Sequence, residues 1–188
     1  TAALVAMVSS LAPAAFADTY DLNKGSVDIL AEGGKQYITQ WEDKDNNLCV
    51  KDDKGEIRNR LDDDITLTTK NETTDETETT DKTKPTSNTV TIDAEKGNTA
   101  KVTLDNVNID VYGSSKAALT VTGDGNTEIE LNGDNTLISG RGHAGLEKAD
   151  DVSHGSLTIK DDLNNNGSKK EEGQPGDVGS LNVVGKGG

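Results

Sequence analysis

The chain has 188 residues, 34 acidic against 19 basic side chains, a formal net charge of −15 and only 3% aromatic residues. That charge balance speaks against nucleic acid as a partner, because its phosphates would be repelled, and it makes cations more natural company. A single cysteine, Cys49, excludes an internal disulfide framework and leaves no second thiol for a zinc site.

Residues 2–11 form a short apolar run of small side chains, followed by Pro13 and then Ala15, Phe16 and Ala17. A small residue on either side of Phe16 satisfies the rule for signal peptidase, so residues 1–17 read as the rear part of a secretory signal peptide cut before Asp18. About ten apolar residues fall well short of the roughly twenty that a membrane span needs, and no transmembrane span is expected. The missing initiator Met and basic leader imply that the chain is a fragment at its front. Export with one cysteine suits a Gram-positive cell wall or culture fluid. About 170 residues follow the leader, enough for one domain of usual size. Their only aromatics are Tyr20, Tyr37, Trp41 and Tyr112, so β-branched residues and Leu must supply the core.

Residues 18–67 are expected to be an N-terminal β segment or cap. Strand-like pieces at 26–30 and 36–41 are followed by a hairpin pattern from 48–51 to 56–57, with Gly55 supplying the positive φ of its turn. Residues 68–88 are almost entirely Thr, Glu, Asp, Lys and Asn, with Pro85 near the end and no aliphatic side chain. Such a stretch cannot bury enough apolar area to offset its chain entropy, which predicts an acidic, Thr-rich linker or solvated loop.

Periodicity governs residues 89–188. Short strands are predicted at 90–92, 102–104, 108–111 and 118–121, separated by Asp, Asn and Gly. An offset of twenty-seven residues carries Leu104 onto Leu131, Asn108 onto Asn135, Gly113 onto Gly140, Ala117 onto Ala144 and Leu119 onto Leu146. It also keeps Val102 with Ile129 and Val111 with Ile138, and a looser echo of 155–159 follows at 179–183. A β-sandwich explains the alternation but not that register. A parallel β-helix explains both, because each residue then sits about 4.8 Å above its counterpart one coil earlier. The prediction is an all-β solenoid with coils of about 24–28 residues. Leu104 and Leu131 should stack inward, Asn108 and Asn135 should form an amide ladder, Gly113 and Gly140 should make a left-handed bend, and Ala117 and Ala144 a tight corner. Only two coils match well and no polar cap closes residues 185–188, so the stacking edge is expected to be cut open.

The wording of Val102 to Ile109, Ile129 to Leu137, Gly142 to Lys148 and Gly155 to Ile159 resembles surface proteins of clostridia and related gut bacteria. Those proteins carry right-handed parallel β-helix modules often labelled carbohydrate-binding, and the resemblance covers residues 88–188. It implies a secreted or wall-associated protein with further modules beyond the C-terminus, and calcium-assisted binding of polysaccharide in some relatives.

Candidate chemistry is sparse. Asp162, Asn164 and Asn166 place oxygen ligands at alternate positions before Gly167, as calcium loops do, because a hard cation takes several oxygens at a sharp turn. The twelfth position is Gly173 rather than Glu, so this is no complete EF-hand loop. Asp43, Asp45 and Asn47 share the spacing without the glycine. Arg141 and His143 sit close in sequence, and a calcium-dependent, pectate-lyase-like enzyme would need such a base beside carboxylate-held calcium. In the repeat they align with Ser114 and Lys116, which predicts a solvent-facing turn. The adjacent pairs Asp150 with Asp151 and Asp161 with Asp162 read as surface charge rather than a glycosidase couple. Tyr112 is the only aromatic in the repeat and its counterpart is Ser139, so no aromatic stripe is expected there. The reading is a non-enzymatic extracellular protein that adheres to, or binds, polysaccharide or host glycan through a β-helix face, with possible roles for calcium. The alternatives are a structural stalk displaying other modules and the lyase.

Overall fold

The computed structural model describes residues 18–70, 84–149, 154–163 and 178–187. The signal peptide expected over 1–17, most of the acidic linker, the Asp150 and Asp151 pair, and Asn164, Asn166 and Gly173 lie outside the described residues. Within them all regular structure is β apart from one short 3-10 turn, Leu22–Lys24.

Eight strands precede the acidic stretch: β1 (Asp18–Asp21), β2 (Ser26–Glu32), β3 (Lys35–Asp43), β4 (Leu48–Cys49), β5 (Lys51–Asp52), β6 (Gly55–Glu56), β7 (Arg60–Leu61) and β8 (Ile65–Thr68). Nine follow it: β9 (Val90–Ala94), β10 (Thr99–Asp105), β11 (Asn108–Asp110), β12 (Leu119–Thr122), β13 (Asn126–Asn132), β14 (Asp134–Arg141), β15 (Leu146–Lys148), β16 (Leu157–Lys160) and β17 (Ser180–Lys186). One sheet has the order β1-β8-β10-β13-β16 and a second the order β11-β14-β17, with every pairing in both parallel. The third runs β15-β12-β9-β2 in parallel and continues antiparallel into β3 and β4, with β7 also beside β3. From β9 onward the chain therefore visits the three sheets in one cyclic order three times.

Alternating apolar residues make this arrangement pack. Tyr20, Leu67, Leu104 and Leu131 pair successively across the five-stranded sheet, all buried. Val27, Val90 and Leu119 do the same in the third sheet, and Ile109 with Leu137 in the second. All join one hydrophobic cluster between the sheets. Each fully buried aliphatic side chain contributes about 2 kcal/mol relative to exposure.

The twenty-seven-residue register holds for Leu104 with Leu131, Val102 with Ile129 and Leu119 with Leu146. It fails at the corner between them. Asn108 pairs with Thr136 instead of Asn135, because two residues separate Asp105 from Asn108 but three separate their partners Asn132 and Thr136. Asn135 is turned inward and buried, so the expected Asn108–Asn135 ladder does not form. Its Oδ1 accepts from Val107 N at 2.8 Å, while its Nδ2 donates to the carbonyls of Asn132, Gly133 and Ser180 at 3.2, 3.3 and 3.1 Å. One amide thereby ties three successive layers of backbone. A side-chain ladder exists elsewhere, with Asn132 Nδ2 donating to Asp105 Oδ1 at 3.1 Å.

Three further expectations are corrected. Neither Gly113 nor Gly140 has a positive φ. Gly140 is required for another reason, since a Cβ there would run into the Ser114 carbonyl. Ala117 is buried but Ala144 is exposed, and Gly145 takes the buried place. Finally, 155–159 and 179–183 are not successive layers of one sheet, because β16 pairs with β13 and β17 with β14.

The N-terminal segment closes one edge of this stack. The β2–β3 hairpin pairs Ser26 with Trp41 through Glu32 with Lys35, and the expected β5–β6 hairpin forms with Gly55 at φ 109°. Buried Gln36 substitutes for a missing strand neighbour of β10. Its Oε1 accepts from Lys101 N at 2.7 Å, and its Nε2 donates to Lys101 O at 2.9 Å and Asp62 O at 3.3 Å. Buried Gln40 likewise donates to the carbonyls of Asp21 and Gly25, at 2.7 and 3.2 Å.

Candidate functional site

Period-two alternation along β3 sends Gln36, Ile38 and Gln40 into the core and puts Tyr37, Thr39 and Trp41 on the opposite face. The sheet register extends that face over the parallel strands. Thr39 lies opposite Asp28, which is followed by Thr91, Thr120 and Glu147. Tyr37 lies opposite Leu30, followed by Asp93 and Thr122. The outer surface of the third sheet is thus rows of hydroxyls and carboxylates with two aromatic rings at one rim. Tyr37 and Trp41 are four residues apart on one strand, about 13 Å.

The Trp41 ring is held. The Trp41 indole donates from Nε1 to Asp28 Oδ2 at 2.7 Å, and Lys44 Nζ approaches the same oxygen at 2.8 Å. The Arg58 guanidinium lies 5.3 Å from the Trp41 ring centroid, a cation–π distance. Tyr37 is half-buried opposite Leu61, which is 54% exposed. Orienting a ring before a ligand arrives lowers the entropic cost of stacking on it.

At the end of β3, Asp43 accepts from the backbone of Asp45 and Asn46 at 3.0 and 3.1 Å, and its Oδ2 accepts from Asn46 Nδ2 at 2.6 Å. The Asn46 side-chain bond is the largest cause holding the Asp43 carboxyl below its ordinary range. Asn47 Oδ1 accepts from Arg58 Nη1 at 2.9 Å. Asp43, Asp45 and Asn47 therefore form a closed turn with a guanidinium in it, a poor cradle for a cation.

The outer face of the five-stranded sheet carries a groove of about 390 Å³, lined in part by Lys101, Glu128, Glu130, Lys160 and Asp162. Two of its carboxylates are partnered within the protein. Lys160 Nζ is 2.6 Å from Glu128 Oε2, and this bond holds the Glu128 carboxyl below its usual range and the Lys160 ammonium above its own. Glu130 Oε1 accepts from the backbone of Asp162 and Leu163, both at 2.7 Å. Asp162, the described member of the expected calcium loop, is exposed at this rim. Among the described residues no group of three or more His, Cys, Asp and Glu side chains is arranged to hold a metal ion.

Arg141 and His143 are not brought together. His143 Nδ1 is 2.9 Å from Glu147 Oε2, whereas Arg141 lines a separate cavity with Tyr112 and Lys186. Among the described residues no acidic side chain lines that cavity.

Comparisons with protein-family models, curated proteins and solved structures give no match. Among the described residues no helix is long and apolar enough to cross a membrane.

The aromatic rim was hidden from a search confined to the repeat. Tyr37 and Trp41 lie about 50 residues before residue 89 and join the face of the repeat only because β2 pairs with β9. The spacing of Tyr37 and Trp41 on one side of a single strand was the available signal. Gln36 and Gln40 on the inward side obscured it, because polar residues usually mark the solvent face.

Proposed function

We infer that the chain is an extracellular, non-enzymatic right-handed parallel β-helix that binds carbohydrate on the outer face of its third sheet. The observation that carries this reading is the oriented Trp41 ring, with Tyr37 two positions further along the same face of β3, heading rows of Thr and Asp side chains. Sugars present apolar C–H faces and hydroxyl edges, which aromatic rings and hydroxyl or carboxylate rows complement respectively. The three-fold cyclic passage through parallel sheets supports the solenoid, and parallel crossovers are overwhelmingly right-handed. Export to a Gram-positive wall or medium rests on the leader-like residues 1–17 and the likeness to clostridial surface proteins. Calcium, if it assists, would use Asp162 with Asn164 and Asn166.

A structural stalk is the second reading, favoured by Glu128 and Glu130 of the five-stranded face being partnered within the protein rather than left for a ligand. A lyase would need carboxylates beside Arg141, where the described cavity lining has none.

A polysaccharide array probed with and without chelator separates the readings. Binding is expected, with Trp41→Ala and Tyr37→Ala each weakening it roughly fivefold to tenfold. Wild-type protein that binds no polysaccharide under either condition would sink the binding function and leave the stalk. Release of unsaturated products from polygalacturonate would revive the lyase.

A further inference from the structure

We propose that the turns at the ends of β11, β14 and β17 form a second glycan subsite, selective for a sugar that carries a carboxylate, a hexuronate unit. The proposal rests on the reading of the molecule as a glycan-binding surface protein and assigns a different face and a different ligand chemistry from the Trp41 rim.

The three strands are successive layers of one parallel sheet, so their ends deliver side chains to one place. Tyr112 follows β11 in a turn in which its backbone N donates to Asp110 Oδ1 at 2.9 Å and Ser114 N donates to Val111 O at 2.9 Å. Arg141 ends β14, and its backbone N donates to Ser114 O at 2.8 Å. Lys186 ends β17 in register with Arg141, its carbonyl accepting from Gly142 N at 3.2 Å and its N donating to Ser139 Oγ at 3.0 Å. The backbone of Arg141 and Lys186 is therefore fixed by interlayer hydrogen bonds, and that of Tyr112 by bonds within its own turn. Their side chains, with Ser114 and Ser115, line a cavity of about 520 Å³.

Two features distinguish this place from the rest of the surface. First, its described lining holds two cations and no acid in a molecule of net charge −15, the nearby Asp110 carboxylate being bonded to the Tyr112 backbone. Elsewhere the described Lys160, Lys54, Lys44 and Arg60 are spent on carboxylates. Among the described residues the Arg141 guanidinium has no hydrogen bond or ion pair, and the Lys186 ammonium makes only a ring contact, 5.1 Å from the Tyr112 centroid. Second, Tyr112 is 65% exposed, so its ring is available to a ligand beside those cations. A planar guanidinium matches a carboxylate through two parallel hydrogen bonds, and an aromatic ring takes the C–H face of a pyranose. A hexuronate carries both groups on one ring. The overall negative charge disfavours long polyanions, but charges farther than about 8 Å are largely screened at physiological salt. A single carboxylated sugar unit is consequently the expected ligand.

The test is a titration of the chain, followed by NMR, with methyl glucuronide and methyl glucoside, which differ only in the carboxylate, and with sodium sulfate. The glucuronide is expected to bind about tenfold more tightly than the glucoside, as one charge-assisted contact implies. Arg141→Gln and Lys186→Gln should each remove most of that preference, Arg141→Lys should keep part of it, and Tyr112→Ala should weaken both sugars. Equal binding of the two sugars, a preference unchanged in Arg141→Gln, or sulfate binding as tight as the glucuronide would overturn the proposal. An empty polysaccharide array beside an Arg141-dependent glucuronide signal would remove the Trp41 rim and leave this subsite. Array binding that depends on Trp41, beside a flat glucuronide titration, would do the reverse.

Discussion

The antiparallel N-terminal hairpins and the parallel layers after residue 89 bury polar groups at different places. In the first, Gln36 and Gln40 enter the core because they complete backbone positions that no strand reaches. In the second, aliphatic columns fill the strand interiors, buried Asn135 and Ser139 bond backbone near the corners, and the one buried side-chain oxygen without a partner among the described residues, Thr127 Oγ1, belongs to this part. A repeating layer satisfies the backbone of the next layer. The first layer has no predecessor, so side chains must act in its place.

That contrast is open to attack. The largest effect should come from Leu104→Ala, which empties the middle of the column formed with Leu67 and Leu131 and should cost about 3–4 kcal/mol in urea unfolding. A loss below about 1 kcal/mol would show that the columns do not carry the fold. Next, Gln36→Ala leaves Lys101 N and O without partners at the edge and should cost about 2 kcal/mol, whereas Thr127→Val removes an unmatched hydroxyl and should gain up to about 1 kcal/mol. Equal signs for the two would erase the distinction between the regions.

The smallest effect is a pH dependence that differs between the regions. Arg60 grips Asp52 with two guanidinium nitrogens, and its hydrogen bond holds the Asp52 carboxyl below its ordinary range, as Lys160 does for Glu128. A folded-state pKa below the unfolded one means that the contribution is present above the ordinary carboxylate range, about 4, and is lost as pH falls through the depressed value. Asp52→Asn and Glu128→Gln should each flatten the acid side of the Tm profile. The Asp52 effect should outlast about 1 M salt, since Arg60 is the better shielded cation, while the Glu128 effect should not. Identical salt responses would show that the two ion pairs are equally exposed to screening.

The layered part was legible because stacking forces like onto like: Leu104 on Leu131 and Leu119 on Leu146 follow from apolar period alone. The corner at Asn135 was not, because one inserted residue changes the register without changing composition. The candidate sites were less legible still. Tyr112, Arg141 and Lys186 are 29 and 45 residues apart in turn, and neither interval is the repeat offset of twenty-seven.

Composition and alternation by themselves determined that this chain is all-β, built on small aliphatic side chains, with a spacing that returns residues to the same sheet. Local pattern suffices for that, since burial of every second residue is a property of each strand alone. Tertiary structure alone decided that Tyr37 and Trp41 share a face with the threonine rows, and that two unpaired cations meet at Tyr112. Such meetings depend on pairing across layers, where hydrogen-bond register and single-residue insertions outweigh any signal within one strand.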